Sequence, residues 1–253
     1  MKVGKIESLW RFPVKSFQGE KLDDAEIGHG GLLGDRAFAL IDTETGKVVS
    51  ATRVKLFPDL LMCKASYLEP PRHCEVLPPI KIILANGKTT TSDASNVNQT
   101  LSHFFGREVK LAQGTGSELS PGSFMDVSPL SVITTSSLDY MHKLRPETNF
   151  DPRRFRMNVI VRTEDSGFVE NERIKKTIKL GNAAAVRITM PDPRCVMTTL
   201  PQEGLPKDSH VLRTLADYNR LDINGSGKLP CAGVYAVVER PGLIRVNDHV
   251  QLT

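Results

Sequence analysis

Short hairpin signals along the whole chain constrain the fold more than any other feature of the sequence. The strongest is Asn86-Gly87, which separates the predicted strands 80–84 and 88–91. Both residues tolerate the positive φ angles of a two-residue turn, so this dipeptide favours a hairpin. The same pattern recurs in three further pairs of runs: 36–42 and 47–53 around 43–46, 178–180 and 185–189 around Gly181-Asn182, and 234–239 and 243–246 around Pro241-Gly242. The sequence therefore predicts a mainly β protein, in which an antiparallel sheet closes into a barrel towards the end of the chain.

Helices are predicted to be few and short. An apolar stripe within 97–105 has helical spacing and ends at Gly106, a predicted C-cap. Two further helices are predicted over 136–144 and 211–220, where apolar residues recur at the same spacing.

The segment 114–122, rich in Gly, Ser and Pro, is the best candidate for a linker. It would divide a β-rich α+β domain over 1–113 from a β-barrel domain over 114–253. The chain has 253 residues, of which 40% are hydrophobic and 25% charged. This is long enough for two compact domains and has the composition of an ordered globular protein.

Composition also limits the expected partners and location. No stretch approaches the roughly 20 apolar residues of a membrane helix, and the first residues lack the apolar core of a signal peptide. The net charge is only +4, from 33 basic and 29 acidic residues, without the basic stripe of a nucleic-acid-binding protein. We therefore expect a cytoplasmic protein that binds neither membrane nor nucleic acid.

The four cysteines, at 63, 74, 195 and 231, form no Cys-x-x-Cys pair, so neither a zinc site nor an iron–sulfur cluster held by this chain alone is expected. Cys63 follows an apolar run and is expected to pack in the core, whereas Cys74 lies in a Pro-rich loop and is expected to be exposed. Cys195 follows a β-branched run and two prolines, in a stiff turn that can present a thiolate to an electrophile or a metal. A lone cysteine is more often an inert core residue, so its surroundings decide between these alternatives.

Basic side chains near predicted strand ends offer donors for an anionic ligand. Lys15-Ser16 place a point charge beside a hydroxyl in a turn, which suits phosphate, although a solvated strand end is the more ordinary interpretation. Arg36 can bind an anion bidentately or pair with the adjacent Asp35. Arg53 is predicted to end the partner strand of the same hairpin.

The densest basic cluster is Arg153, Arg154 and Arg156. If 155–161 is a strand, Arg154, Arg156 and Asn158 share one face, which would suggest an interior ligand cavity. Charge on a strand face is also typical of its solvent-exposed side.

Four separated blocks, in this order, resemble the MOSC domain family preceded by its N-terminal β-barrel domain, and in particular the group of amidoxime-reducing components. The blocks are Phe12–Ser16 with Gly34-Asp35-Arg36, Asp126–Leu130, Arg153–Asn158, and Pro193-Arg194-Cys195 continuing through Asp217–Arg220 to Gly233–Tyr235. This sequence also departs from the family, because many relatives have a second cysteine at the position of Asp192 and a proline at that of Met157.

The resemblance implies a molybdenum cofactor, in which the dithiolene of a molybdopterin holds the metal and Cys195 is the metal ligand from the protein. It implies that Asp192, beside the metal, is a candidate catalytic acid together with Cys195. The cofactor-binding residues that it implies are Lys15, Ser16, Arg36, Arg53, Arg154, Arg156, Asn158, Arg194 and Thr198. Pyridoxal phosphate binding is a further expectation from the same resemblance.

The resemblance also implies an oxidoreductase that reduces small N-hydroxylated or N-oxygenated compounds. The chain has no Gly-x-Gly-x-x-Gly fingerprint for flavin or NAD and no ferredoxin-like segment, so electrons are expected from an external reductase or small redox protein. A carrier of the molybdenum cofactor or of its sulfur, without turnover, would use the same residues and stays open as the alternative. A β-barrel adaptor with relic features is the third interpretation.

Overall fold

The computed structural model describes residues 2–73, 75–114, 124–125, 127–223, 225 and 227–253. Its strands are β1 (Lys2–Arg11), β2 (Glu20–Leu22), β3 (Asp24–Gly28), β4 (Gly31–Leu32), β5 (Phe38–Asp42), β6 (Lys64–Tyr67), β7 (Ile80–Ile83), β8 (Thr89–Thr91), β9 (Val109–Gln113), β10 (Leu130–Thr134), β11 (Val159–Arg162), β12 (Thr177–Leu180), β13 (Ala184–Pro193), β14 (Arg220–Asp222), β15 (Lys228–Arg240), β16 (Gly242–Arg245) and β17 (His249–Leu252). Its α-helices are α1 (Val97–Phe105), α2 (Thr135–Leu144) and α3 (His210–Tyr218). The predicted mainly β class with few short helices is confirmed.

The chain forms two compact units that interleave along the sequence. The barrel unit consists of Met1–Trp10, Lys21–Leu32 and Val127–Thr253, and the second unit consists of Arg11–Glu20 and Leu33–Asp126. These units differ from the predicted division at 113/114, because β1 pairs with β11 and β17 of the C-terminal half. The predicted linker after Gly114 and Cys74 lie outside the described residues.

Seven strands of the barrel unit form a closed barrel in the order β10-β11-β1-β17-β12-β13-β15, and β15 pairs back with β10. The β10–β11 pair is parallel and the other neighbours are antiparallel. Alternate apolar side chains such as Ile6, Val132 and Val186 fill the interior. The barrel predicted from the hairpin pattern is therefore confirmed.

Each unit contains one hairpin that the sequence predicted correctly and one that it did not. Asn86-Gly87 connects β7 to β8 and Gly181-Asn182 connects β12 to β13, as predicted, with φ values of +82° at Gly87 and +61° at Gly181. The hairpin predicted around Pro241-Gly242 is wrong, because β16 pairs with β3. β15 instead pairs with β13, β10 and β14.

The second unit contains two small sheets and one helix. β5 pairs with β9, and β6, β7 and β8 form a three-stranded antiparallel sheet. The bridges Val14↔Phe38 and Gln18↔Lys64 join the segment 12–18 to both sheets. The strand predicted over 47–53 is wrong, since that run contributes one isolated bridge, Ile41↔Val48.

The three predicted helices are confirmed with small changes in their bounds. α1 ends at Gly106 in the left-handed conformation, as a glycine C-cap should. α3 ends at Tyr218, two positions before the predicted Arg220, because Arg220 already pairs with Pro230 in the β14–β15 ladder. No helix in the described part of the chain is long and apolar enough to cross a membrane.

Candidate functional site

Cys195 lies where β13 ends and a short 3₁₀ helix, Val196–Thr199, begins. The last ladder pair of β13 is Pro193↔Cys231. Cys195 then caps the 3₁₀ helix with extended backbone angles, φ −116° and ψ −177°, and is exposed. The turn therefore presents the thiol to the surface of the barrel unit.

The other two described cysteines are unsuited to chemistry with a ligand. Cys63 and Cys231 are buried, as predicted for Cys63. Burial raises the pKa of the Cys63 thiol to about 12 and that of Cys231 to about 11, so both remain protonated near neutral pH. Among the cysteines described, Cys195 is the one that a metal or reagent can reach.

Arg194 and Asp192, on either side of Pro193, form a buried ion pair with each other. The side chains of Asp192 and Arg194 are only 2% and 8% exposed. Arg194 also donates from Nε to the carbonyl oxygen of Ala232 (3.0 Å), and from Nη1 to that of Phe155 (2.9 Å). Its Nη2 lies 3.1 Å from Sδ of Met157. Both side chains thus stabilise the turn, and their predicted roles at cofactor and substrate stay predictions.

The hydroxyls after Cys195 also serve the turn. Thr198 Oγ1 donates to the carbonyl oxygen of Cys195 (3.1 Å), and Thr199 Oγ1 donates to that of Val196 (2.7 Å). Both threonines are buried. The predicted contact of Thr198 with the cofactor stays a prediction, and its geometry favours a local capping role.

The strand predicted over 155–161 is wrong in its first part. Pro152–Arg154 form a 3₁₀ helix, Phe155 has helical angles, and Arg156 has a φ of +53°. β11 begins only at Val159. Arg154, Arg156 and Asn158 therefore do not share the face of one strand, because Arg156 adopts a left-handed turn conformation that ends any extended run.

Arg154 and Asn158 use their polar groups inside the barrel unit. Arg154 is fully buried and donates to four carbonyl oxygens, those of Asn149 (3.0 Å), Thr198 (3.4 Å), Leu200 (3.4 Å) and Pro206 (2.8 Å). Asn158 is 2% exposed, and its Oδ1 accepts from the N–H and hydroxyl of Ser131 at 3.2 and 3.0 Å. Their predicted cofactor contacts stay predictions, and these partners favour structural roles.

In the second unit, Lys15, Ser16 and Arg36 form what we call the cationic turns. Lys15 Nζ donates to the carbonyl oxygen of Phe124 (2.8 Å), and Ser16 Oγ accepts from the N–H of Ala51 (3.1 Å). Arg36 forms an ion pair with Asp35, as its structural alternative predicted, and keeps 16% of its side chain exposed.

Two neighbours of the cationic turns were only partly predicted. The guanidinium of Arg36 also lies over the ring of Phe12, 4.6 Å from its centroid. Arg53 lies in a turn and not at a strand end, and its carbonyl oxygen accepts from the N–H groups of Leu56 and Phe57 at 2.9 and 3.0 Å. Sequence reasoning missed Phe12 as a partner of Arg36, although Phe12 stands in the same motif. The partners of Arg194 are mostly backbone carbonyl oxygens, which every residue has, so the sequence could not predict them.

Strained backbone marks three of the predicted cofactor residues. The non-glycine residues with positive φ in the described chain are Ser16, Arg36, Arg156, Lys175 and Asn247. Such conformations cost of order 1 kcal/mol or more and cluster at functional sites. The family resemblance implied Ser16, Arg36 and Arg156 as cofactor residues, and their positive φ angles are a structural observation that agrees with this prediction.

Comparison with known proteins assigns the family. The MOSC domain matches residues 120–251, and the MOSC N-terminal beta barrel domain matches residues 3–107. The chain belongs to the MOSC family, as its four sequence blocks predicted.

Relatives within this family match nearly the whole chain. Mitochondrial amidoxime-reducing component 1 of Mus musculus is 27% identical over 289 residues, which cover 99% of this chain and 82% of the mouse protein. Mitochondrial amidoxime reducing component 2 of Macaca fascicularis is 29% identical over 290 residues, which cover 98% of this chain and 83% of that protein. The crystal structure of the YUAD protein from Bacillus subtilis matches the fold with a TM-score of 0.51 at 13% identity, over 98% of this chain and 93% of that one.

The donor set around Cys195 is sparse. No group of three or more His, Cys, Asp or Glu side chains among the described residues is arranged to hold a metal ion. Pyridoxal phosphate binding stays a prediction.

Proposed function

We propose that the protein is a molybdenum-cofactor-dependent oxidoreductase that reduces small N-hydroxylated or N-oxygenated compounds. The observation that carries the proposal is the exposed thiol of Cys195, held at the end of a barrel strand within the segment that matches the MOSC domain. The names of the relatives, which are amidoxime-reducing components, support the class of substrate.

Each unit, taken by itself, has residues whose chemistry suits part of such a cofactor. A metal that is already held by dithiolene sulfurs needs only one soft ligand from the protein, and a thiolate is such a ligand. Cys195 is an exposed cysteine and can provide this ligand. The cationic turns fit the anionic phosphate of a pterin, since Lys15 and Arg36 are cations and Ser16 adds a hydroxyl on strained, fixed backbone.

When bound, the cofactor supplies two-electron redox chemistry, and the protein supplies binding, orientation and charge. Cys195 would hold the metal through its sulfur. Lys15 and Arg36 would neutralise the phosphate. Arg156, strained and 5% exposed, is the remaining cation that we assign to cofactor binding. The buried ion pair of Asp192 with Arg194 makes Asp192 a weaker candidate for a proton donor than the sequence suggested.

Electrons come, in this proposal, from a separate reductase or small redox protein, and the protein acts in the cytoplasm. The test is purification from a host that makes the cofactor, followed by measurement of molybdenum and pterin per chain. We expect near-equal amounts of the two, turnover of an N-hydroxylated substrate with a dithionite-reduced dye, and no turnover with NADH alone.

The matched control is the same protein from a host that cannot make the cofactor, which should be inactive. Protein without molybdenum from the competent host would refute the proposal. Bound cofactor that passes to an apo-enzyme without any turnover would instead establish the alternative, a cofactor carrier.

A further inference from the structure

Two arginines connect the turn 153–157 to the segment around Cys195, one on each side of the 3₁₀ helix Val196–Thr199. Before the helix, Arg194 reaches from β13 to the carbonyl oxygen of Phe155 and the sulfur of Met157. Beyond it, Arg154 reaches from the turn to the carbonyl oxygens of Thr198 and Leu200. We call these two side chains the arginine bracket.

Apart from the arginine bracket, mainly local hydrogen bonds fix the backbone around Cys195, since the N–H and Oγ1 of Thr198 donate to the carbonyl oxygen of Cys195 at 3.2 and 3.1 Å. Beyond the 3₁₀ helix, the N–H of Asp208 donates to the carbonyl oxygen of Thr199 at 2.9 Å. Pro191 and Pro193 pair with Val234 and Cys231 at the end of the β13 ladder but have no N–H groups to donate to it. The 3₁₀ helix has only four residues, Val196–Thr199, and such helices have poor hydrogen-bond geometry. Cys195 is exposed, so packing does not hold its side chain. A neighbouring hydrogen bond, from Arg194 N–H to the carbonyl oxygen of Pro230 at 2.8 Å, fixes only the near side.

The arginine bracket supplies what the ladder lacks. Arg154 has no exposed surface and Arg194 has 8% of its side chain exposed. The five N–H groups of a guanidinium form a rigid fork, so one arginine can fix several carbonyl oxygens at once, which a lysine cannot do. The same turn carries the strained Arg156. The arginine bracket thus ties the position of Cys195 to that of Arg156.

We propose that Arg154 and Arg194 are positioning residues that fix Cys195 relative to Arg156, and that neither binds the cofactor directly. The inference rests on the proposed function, because it specifies how the metal ligand is held. The family resemblance instead implies that both arginines bind the cofactor. A displacement of about 1 Å at a reacting centre can reduce rates by up to roughly 100-fold, so positioning alone is sufficient for a large effect.

The experiment compares Arg194→Lys and Arg154→Lys with the control Arg187→Lys. Arg187 lies on the same strand, β13, but its side chain is 50% exposed and pairs with Glu239. In the purified holoprotein we measure molybdenum content, kcat and KM with the dithionite-reduced dye, and the electron paramagnetic resonance spectrum of Mo(V). In the same protein with and without cofactor we measure amide hydrogen exchange over 195–200.

We expect both bracket variants to retain molybdenum, with kcat lower by roughly 10- to 100-fold and KM unchanged within about twofold. The Mo(V) spectrum should broaden or split, and exchange over 195–200 should accelerate by about tenfold in both forms of the protein. The control should match the wild type in every measurement. If Arg154→Lys does not fold, Arg194→Lys decides alone.

Two results would overturn the inference. Loss of molybdenum with unchanged hydrogen exchange would identify the arginines as cofactor ligands. Wild-type values of kcat and of hydrogen exchange in both bracket variants would show that these arginines do not fix the position of Cys195. If the wild type itself contains no molybdenum, the proposed function fails, and the exchange data still decide whether the arginine bracket fixes Cys195.

Discussion

The arginines of the two units are held in different ways. In the barrel unit, Arg154 and Arg194 direct their donors to backbone carbonyl oxygens and are nearly or fully buried. In the second unit, Arg36 rests on an aromatic ring and one carboxylate, keeps part of its side chain exposed, and sits on strained backbone. A buried arginine that donates to carbonyl oxygens stabilises a loop, whereas a partly exposed arginine on a fixed turn can receive an anion. The contrast distinguishes Arg154 and Arg194 from Arg36. Arg156, which is buried in the barrel unit, is assigned to the cofactor on its strained backbone and not on exposure.

The largest expected effect is that of Cys195→Ser. A hydroxyl cannot replace the soft thiolate, so we expect reductase activity to fall by orders of magnitude. The cationic turns are unchanged, so the variant should still retain some pterin. Activity, molybdenum and pterin are measured on the purified variant, with Val196→Ala as control because Val196 is the adjacent exposed residue, at 46%. Wild-type rates in Cys195→Ser would remove the basis of the proposed function.

A smaller effect is expected for Arg36→Ala, which should impair retention of the pterin more than the chemistry. Loss of a charge-assisted contact costs about 1.5–3 kcal/mol, which weakens binding by roughly 10- to 150-fold. Pterin content after gel filtration measures this, with Lys47→Ala as control because Lys47 is an exposed cation of the same unit. Arg36→Lys should retain more pterin than Arg36→Ala and less than Lys47→Ala, since lysine keeps the positive charge but lacks the planar guanidinium. Equal retention in all three variants would contradict the assignment of Arg36.

The smallest effect concerns two buried carboxyl groups, one in each unit. Burial raises the pKa of Glu170, although hydroxyl donors at 2.7 Å from Thr134 and Ser137 oppose the shift. Burial also opposes ionisation of Asp42, but the Arg107 guanidinium and backbone N–H groups outweigh it and lower its pKa. The barrel unit therefore favours a neutral acid, and the second unit favours an anion.

The two acids should give opposite trends of stability with pH. A raised pKa contributes stability that is complete below the unfolded pKa, about 4.3 for Glu, and is lost as pH rises through the folded pKa. The unfolding free energy of the wild type relative to Glu170→Gln should therefore decrease with rising pH, by about 1.4 kcal/mol per unit of pKa shift. The unfolding free energy of the wild type relative to Asp42→Asn should decrease as pH falls through the pKa that Asp42 has in the folded protein. Urea unfolding across the pH range measures both slopes, and parallel slopes would refute the contrast.

Local patterns predicted the parts of the fold that local interactions determine. The Asn86-Gly87 hairpin and the helix capped by Gly106 depend on φ angles that those residues favour by themselves. The pairing of β16 with β3 depends on residues that are distant in sequence, so Pro241-Gly242 misled the prediction.

The candidate site shows the same limit. The sequence predicted that Cys195 lies in a turn after a β-branched run, and the structure places it, exposed, between β13 and a 3₁₀ helix. Its role as metal ligand stays a prediction. The positive φ of Arg156 has no local signal, because arginine rarely adopts it unless the surrounding structure imposes it. The roles of Arg154 and Arg194 depend on carbonyl oxygens from other segments, which sequence does not reveal.

The closed barrel has a consequence for the order of events during synthesis on the ribosome. Every residue of the second unit precedes Val127, so that unit is complete when about half of the chain has emerged. β1, although it precedes the second unit in the chain, has β17 as one of its two barrel neighbours, and Lys5 pairs with His249. Contacts between residues so distant in sequence form slowly. The cationic turns should therefore fold before β1 can pair with β17. Until that pairing forms, the incomplete barrel exposes unpaired strand edges, so we expect aggregation to be most favoured at this stage.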